Sequence, residues 1–323
     1  MIGAIRFSVA CIAAVLLALP AAAEEITLRA VAFIPKTHPL MAQTQVWVND
    51  INAALKGKLH INYVGGPEVI PGLQQADAVG KGVIDIAFNP TAYYQSTFPE
   101  GGALLLSRKS VTEEREPGGL YDFMVKRHER LNLRYIGRAL WSPFYLWTTT
   151  KVTSIDGLKG QKMRTSALYD RFMKALDIVP VTIPEGDTYT ALEGGTVTGF
   201  GWPMAGPRER GWIKTAKYLI DLPFFASNNI VIIMNLDKWK ALPEDVRKEI
   251  ERVTAAFEPK MVQHYQQAEA AEWALLEKAG VQKIRFSDAE NKRYIDTAYK
   301  VEWDNLATKV PDLVGELRKL TGN

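Results

Sequence analysis

The sequence has a single cysteine, Cys11, among 323 residues, and that scarcity removes whole classes of chemistry. Without a pair of thiols there is no disulfide framework, no thiolate zinc site and no iron–sulfur cluster. Histidine is almost as scarce. His38, His60, His128 and His264 include no two at the i, i+3 or i+4 spacing that would let them share a metal, and each reads as a surface or loop residue. No G-x-S-x-G elbow is present, and Gly80-Lys81 is followed by Gly82 where a phosphate loop needs Ser or Thr. Gly199-Phe200-Gly201 meets Met204 where a dinucleotide fingerprint needs its third glycine. Charge of one sign is also missing. Lys and Arg number 39 against 36 Asp and Glu, a formal +3, without the basic stripe of a nucleic-acid binder. The densest basic cluster, Lys126, Arg127, Arg130 and Arg134, reads as a solvated helix face.

Long apolar runs are absent with one exception. Val9 to Leu19 is free of charge, follows Arg6, and leads into Ala21-Ala22-Ala23. The run is too short to span a membrane, and its flanks fit a secretory signal peptide over residues 1–23. Cleavage there removes Cys11, so the exported chain is expected to be soluble and thiol-free.

What is present is an ordinary globular composition, 47% hydrophobic and 23% charged, long enough for two domains. Ile26–Ala32, Lys58–Val64 and Val83–Phe88 read as strands. They alternate with a helix over Leu40–Leu55 and a shorter one over Gly72–Lys81. That alternation predicts a mostly parallel sheet with covering helices. Leu120–Asn132 reads as a helix and Leu133–Trp147 as an extended, aromatic-rich run. A second strand–helix alternation begins near residue 148, with strands at Lys162–Thr165, Val179–Ile183 and Thr196–Gly201. Ile230–Leu236 is a buried-type strand. From Pro243, with Glu244 and Asp245 behind it, a helix runs to about Lys278, bent at Pro259 and long enough to cross two domains. The expected fold is α/β, a two-domain periplasmic-binding-protein-like architecture with a hinge. The expected domains are 24–147 with 230–275, and 148–229 with 276–323. Ligands of such folds bind in the cleft beyond the carboxyl ends of the strands.

One stretch makes the reading specific. Ile155-Asp156-Gly157-Leu158-Lys159-Gly160-Gln161-Lys162-Met163-Arg164 is followed by Val179-Pro180-Val181. Tyr189-Thr190-Ala191-Leu192-Glu193-Gly194-Gly195 and Lys217-Tyr218 come after it. With Gly82-Val83-Ile84-Asp85-Ile86-Ala87 and Leu242-Pro243-Glu244-Asp245-Val246, this order resembles the solute-binding proteins of TRAP transporters, the DctP family, over residues 26–320. The resemblance implies a monomeric periplasmic receptor that performs no chemistry, needs no cofactor and binds no nucleic acid. It would deliver a small organic carboxylate to TRAP membrane subunits. An ABC-type or sensory periplasmic binding protein shares the architecture, and a secreted carboxylate-processing enzyme is the alternative of another class.

The resemblance assigns Arg164 to the ligand carboxylate, which a guanidinium grips bidentately. Tyr145 stands where many relatives carry a second Arg, and Trp202 where many carry Asn. Gly201 stands where some 2-oxo-acid binders carry a metal-ligating Glu, so no metal is implied. Phe200 lies beside Trp202 in sequence. Phe88 and Asn89 end the third strand and are expected to face the cleft. Glu68 is placed to reach the cleft or to cap the next helix, and Lys36 is a candidate substitute for the missing cation. Together these residues predict a monocarboxylate with an apolar or aromatic body.

Overall fold

The computed structural model describes residues 24–166 and 168–323; the predicted signal peptide lies outside them. In chain order the strands are β1 (Ile26–Ala32), β2 (Leu59–Gly65), β3 (Ile86–Pro90), β4 (Leu133–Arg138), β5 (Tyr145–Thr148), β6 (Lys162–Thr165), β7 (Val179–Thr182), β8 (Gly199–Trp202), β9 (Tyr218–Ile220), β10 (Ile230–Asn235) and β11 (Gln282–Ile284). They form two sheets, ordered β2-β1-β3-β10-β4 and β11-β9-β5-β8-β6-β7.

In the first sheet β1 runs parallel to β2 and β3, while β10 runs antiparallel to β3 and β4. The alternation Leu59, Ile61, Tyr63 is inward-facing, with His60, Asn62 and Val64 exposed. By contrast β10 is buried at every residue, because both its faces are covered, and its sequence is correspondingly a continuous apolar run. β3 starts at Ile86, later than its apolar run suggests. The Asp85 carboxylate accepts from the Arg29 backbone N–H at 2.6 Å and pairs with Lys238 at 2.5 Å, which holds the preceding residues in a turn.

The run predicted as extended from Leu133 to Trp147 is shared between the sheets: β4 belongs to the first and β5 to the second. Residues 139–144 cross between them beside residues 221–229, which return. The two crossings are stitched together by Phe144 N to Phe225 O at 3.0 Å and Phe224 N to Phe144 O at 2.9 Å. Arg138, buried where the first crossing starts, donates to Glu114, to Leu104 O and, at 2.7 Å, to Asn228 O on the returning strand.

The third crossing is the helix Glu244–Lys278, 35 residues, continuous through Pro259 and about 52 Å long. Its first half is bound to the first sheet's unit. Thr254 accepts from Trp47 Nε1 at 3.0 Å, and Glu258 pairs with Arg115 and accepts from the Arg138 N–H at 2.6 Å. Its second half is bound to the other unit, with Tyr145 donating to Glu269 and Arg208 paired to Glu272 at 2.7 Å. Beyond β11, the helix Asp288–Lys309 sets Tyr294 edge-on against Phe172 of the second unit. Where the expected division gave all of 276–323 to that unit, the chain end lies against the first. Arg108 N donates to Thr321 O at 2.9 Å, and Asn323 donates to Leu106 O at 2.7 Å.

Two expectations about polar residues are corrected. His128 is buried at the end of a helix, not a surface or loop residue; His38 lies in a loop as expected, although buried. His38 Nδ1 accepts from the Leu40 N–H at 3.1 Å; the His128 ring bonds Met124 O at 2.7 Å and the Tyr94 hydroxyl at 3.0 Å. The basic cluster is not a free solvated face either, because buried Glu100 draws in both Arg127 and Arg130.

Burial holds both histidines well below their ordinary value, to about 4, with Arg210 adding to the effect at His38. Between pH 6.5 and 4 the unfolded chain therefore binds protons that the folded chain does not. Each histidine's contribution is lost as pH falls through that window, at up to about 1.4 kcal/mol per pH unit. Burial raises Glu258 and Glu302, which act in the opposite sense but are common to wild type and variants. His128→Leu is expected to be less stable at pH 7 yet to show a flatter pH dependence by about one proton. Urea unfolding at pH 7, 6 and 5 measures this; equal slopes in the two proteins would contradict it.

Candidate functional site

The two units face each other across a cavity of about 530 Å³. Phe33, Leu73 and Tyr93 line it from the first unit, and Arg164, Leu168, Tyr169 and Trp202 from the second. Phe144, Asn229 and Ile230, from the crossings, form its floor. Most of this lining is apolar or aromatic, so any charged group inside it is weakly solvated.

Arg164 is the charged group that matters. It lies on β6, between β7 and β8, in register with Val181 and Phe200, and is only 5% exposed. Its Nε donates to Ile183 O at 3.1 Å, and a terminal nitrogen donates to the Tyr169 hydroxyl at 2.9 Å. The guanidinium lies 5.1 Å from the centre of the Trp202 ring, in cation–π range. Glu185, on the same wall, is committed to Arg210 at 2.6 Å. No Asp or Glu comes within the 4.0 Å salt-bridge distance of Arg164 among the described residues. The side chain is thus a buried cation fixed in direction by neutral acceptors, with donors left over on its fork.

Tyr169 fixes that direction. Its hydroxyl accepts from Arg164 and donates to Gly201 O at 2.5 Å. Its ring lies so close to Gly201 that an added Cβ would sit 2.5 Å from Cε2. Position 201 therefore has no room for a carboxylate side chain while Tyr169 holds Arg164. Among the described residues no three His, Cys, Asp or Glu side chains gather as metal ligands. From the opposite wall, burial raises the Tyr93 hydroxyl and the Arg164 charge opposes that shift. Tyr93 thus meets the field of the guanidinium as a neutral group.

Of the sequence-predicted site residues, the cleft brings together Arg164 and Trp202. Phe88 is in the core, edge-on to Trp47 at 5.6 Å and packed on Tyr63. Asn89 is turned away, donating to Gly72 O and Gln75 Oε1, each at 2.9 Å. Phe200 stacks on Trp147 at 5.6 Å and meets Trp212 edge-on. Tyr145 points at the long helix, bonded to Glu269. Glu68 neither reaches the cleft nor caps a helix; it accepts from the Gly66 N–H at 2.6 Å in its own turn. Lys36 donates to Tyr63 O at 3.2 Å and is not among the cleft's lining residues. Sequence reasoning missed Phe33, Tyr93, Phe144, Tyr169 and Asn229. The usable signal was their position just beyond strand ends or within the crossings, not at the last residues of strands.

A pair of α/β units joined by crossings, with a buried cation that no carboxylate among the described residues pairs in the cleft between them, has the layout of a solute-binding protein. Residues 30–309 match the bacterial extracellular solute-binding protein family 7, DctP, and the chain belongs to that family. A relative in sequence is the monocarboxylate 2-oxoacid-binding periplasmic protein of Nostoc sp. It is 21% identical over 258 residues, 77% of this chain and 69% of that protein. Two solved structures share the fold. One is a TRAP periplasmic solute-binding protein from Desulfovibrio salexigens with bound orotic acid, at TM-score 0.79 and 18% identity, covering 92% of this chain and 98% of that one. The other is a TRAP transporter solute-binding protein from Bordetella bronchiseptica with calcium and picolinate, at TM-score 0.78 and 21% identity, covering 92% of each chain.

Tyr169→Phe removes one oxygen and leaves the Arg164 N–H and Gly201 O without their partner. The expected cost is about 1–3 kcal/mol of stability, read as a lower urea midpoint at unchanged slope. A midpoint equal to that of wild type would show that Tyr169 does not hold the arginine.

Proposed function

We propose that this protein is a periplasmic receptor that binds a small monocarboxylate with an apolar or aromatic body and delivers it to TRAP membrane subunits. The observation that carries the reading is Arg164: a buried guanidinium, held by neutral partners, in an apolar cleft. A ligand carboxylate completes it as a charge-assisted, bidentate pair. Trp202, Phe33, Tyr93 and Leu168 supply the apolar surround. A second carboxylate would be buried without a cation, at a cost of several kcal/mol, so C4-dicarboxylates are disfavoured. The relative whose name specifies monocarboxylate 2-oxoacids fits a single-carboxylate ligand.

Closure follows from where the contacts lie. Arg164 and Trp202 are on one unit and Tyr93 and Phe33 on the other, so a ligand touching both favours the closed arrangement by its differential affinity. The proposed moving bodies are the two sheets with their helices, hinged at residues 139–144 and 221–229 and braced by the long helix.

The test is a calorimetric panel of succinate, malate, branched short-chain acids and aryl carboxylates, with small-angle scattering on whichever acid binds. Aryl or branched acids are expected to bind, succinate and malate weakly or not at all, and the radius of gyration to shrink. Arg164→Ala is expected to lose about 30-fold to several-thousand-fold in affinity, and Arg164→Lys to lose the fork and weaken binding as well. Tight succinate binding with no response to the other acids, or unchanged affinity in Arg164→Ala, would overturn the reading.

A further inference from the structure

The two units also meet beside the cleft, at a histidine that is not among the cavity's lining residues. His38 lies in the loop between β1 and the first unit's helix over Ala42–Ala54, and it is only 3% exposed. Three groups of the second unit surround its ring. The Trp202 ring stands 6.4 Å away between centroids, and a Cβ added at Gly206 would lie 3.9 Å from the His38 Cε1. Arg210 is near enough for its charge to act on the imidazole. His38 is thus a residue of one unit covered by the other, beside the tryptophan that flanks Arg164.

Nothing in this setting accommodates a charge on the ring. His38 Nδ1 accepts from the Leu40 N–H at 3.1 Å, so the single proton of the neutral imidazole is on Nε2. That Nε2 is buried without any hydrogen-bond partner among the described residues. A second proton would have to go on Nδ1, where it would face the Leu40 N–H and break the bond. The polar groups packed around the loop offer no acceptor. Trp202 Nε1 is a donor. Arg210 is a cation already paired with Glu185 at 2.6 Å, and Arg208 is paired with Glu272 of the long helix at 2.7 Å. The Tyr265 hydroxyl of that helix donates to Leu40 O at 2.6 Å, and Lys36, in the same loop as His38, donates to Tyr63 O at 3.2 Å. No Asp or Glu comes within the 4.0 Å salt-bridge distance of His38 among the described residues. Burial, with Arg210 adding to it, accordingly holds the ring down to about 4 in this arrangement. When the units part, Trp202, Gly206 and Arg210 withdraw, water reaches the ring, and its proton affinity returns toward the ordinary value of about 6.5.

We propose that His38 is a proton-sensitive closing contact: the units close on a ligand only with His38 neutral, and protonation of His38 favours the open arrangement and releases the ligand. The inference rests on the carboxylate reading and the closure described above and adds a regulator to them. The sign is fixed by which arrangement excludes the proton. Closure expels it, so ligand affinity is full above pH 6.5 and falls as the pH drops from there toward 4, by up to about tenfold per pH unit.

The test titrates benzoate and 3-methylbutanoate calorimetrically into wild type and His38→Asn at pH 7.5, 6.5, 5.5 and 5. Asparagine keeps an acceptor for the Leu40 N–H and does not titrate. Protonation of the acids themselves, and of every other group, is common to the two proteins, so the comparison isolates position 38. From pH 7.5 to 5 the affinity of wild type is expected to fall about 10- to 30-fold more than that of His38→Asn. A second measurement needs no variant. The histidine ring signals of wild type are followed by NMR against pH, with and without saturating acid. His60 and His264 are exposed and are expected to titrate alike in both, whereas one buried histidine is expected to titrate at least about one pH unit lower with ligand bound. Equal pH dependence of affinity in the two proteins, or four histidines that all titrate alike with and without ligand, overturns this inference alone. Binding of neither acid at pH 7.5 overturns the carboxylate reading, and with it this inference, which couples the proton to closure on that ligand.

Discussion

A guanidinium removed from water without a carboxylate beside it is the constraint around which the second unit is arranged. Arg164 keeps its charge in the cleft because three neutral groups share the work: the Ile183 carbonyl, the Tyr169 hydroxyl and the face of Trp202. Each in turn depends on the local chain. Tyr169 can reach Arg164 only because residue 201 has no side chain, and its proton goes to the Gly201 carbonyl. Trp202 is the last residue of β8. In the function proposed above, a cation aimed this way and left unneutralised takes an anion from outside, and the cost of its burial becomes selectivity when the ligand arrives.

The mechanical frame separates what must be rigid from what can turn. Glu258 and Glu114, with Arg115 and Arg138, form a buried charged cluster that ties the long helix, the end of β4 and the returning strand to the first unit. Removing one member would strand another charge in the interior, so this anchor is not a place where motion is cheap. Farther along the same helix, the contacts to the second unit are Tyr145 with Glu269 and Arg208 with Glu272. The helix is a brace fixed at both ends. The crossings are short and joined to each other by a few backbone hydrogen bonds, which makes them the natural site for rotation between the units.

Much of this was legible from residue patterns. The alternation in β2, the uninterrupted apolar β10 and the acidic start of the long helix each encode their element directly. Arg164 was legible too, because a motif with fixed spacing brings it to the end of a short strand. The failures share a cause. Phe88 and Asn89 were taken as strand-end residues, but β3 runs on to Pro90, and the residue that reaches the cleft is Tyr93, in the turn beyond. Tyr145 and Phe200 lie on strands that do border the site, yet Tyr145 turns to the long helix and Phe200 into the core. Such directions depend on which elements pack on each face of a sheet, which a local pattern does not carry. His128 was misplaced for the same reason. Its burial is decided by tertiary partners, the rings of Tyr94, Phe98 and Tyr135 that surround it.

The central claim is that charge on the ligand, not its shape alone, completes Arg164. It is tested most directly by comparing the best-binding carboxylate from the panel with its own primary carboxamide, near in size but neutral, by calorimetry on the wild-type protein. Loss of the charge-assisted pair in a dry cleft is expected to weaken the carboxamide by about 100-fold or more. Affinities for acid and amide within a few-fold of each other would contradict the account.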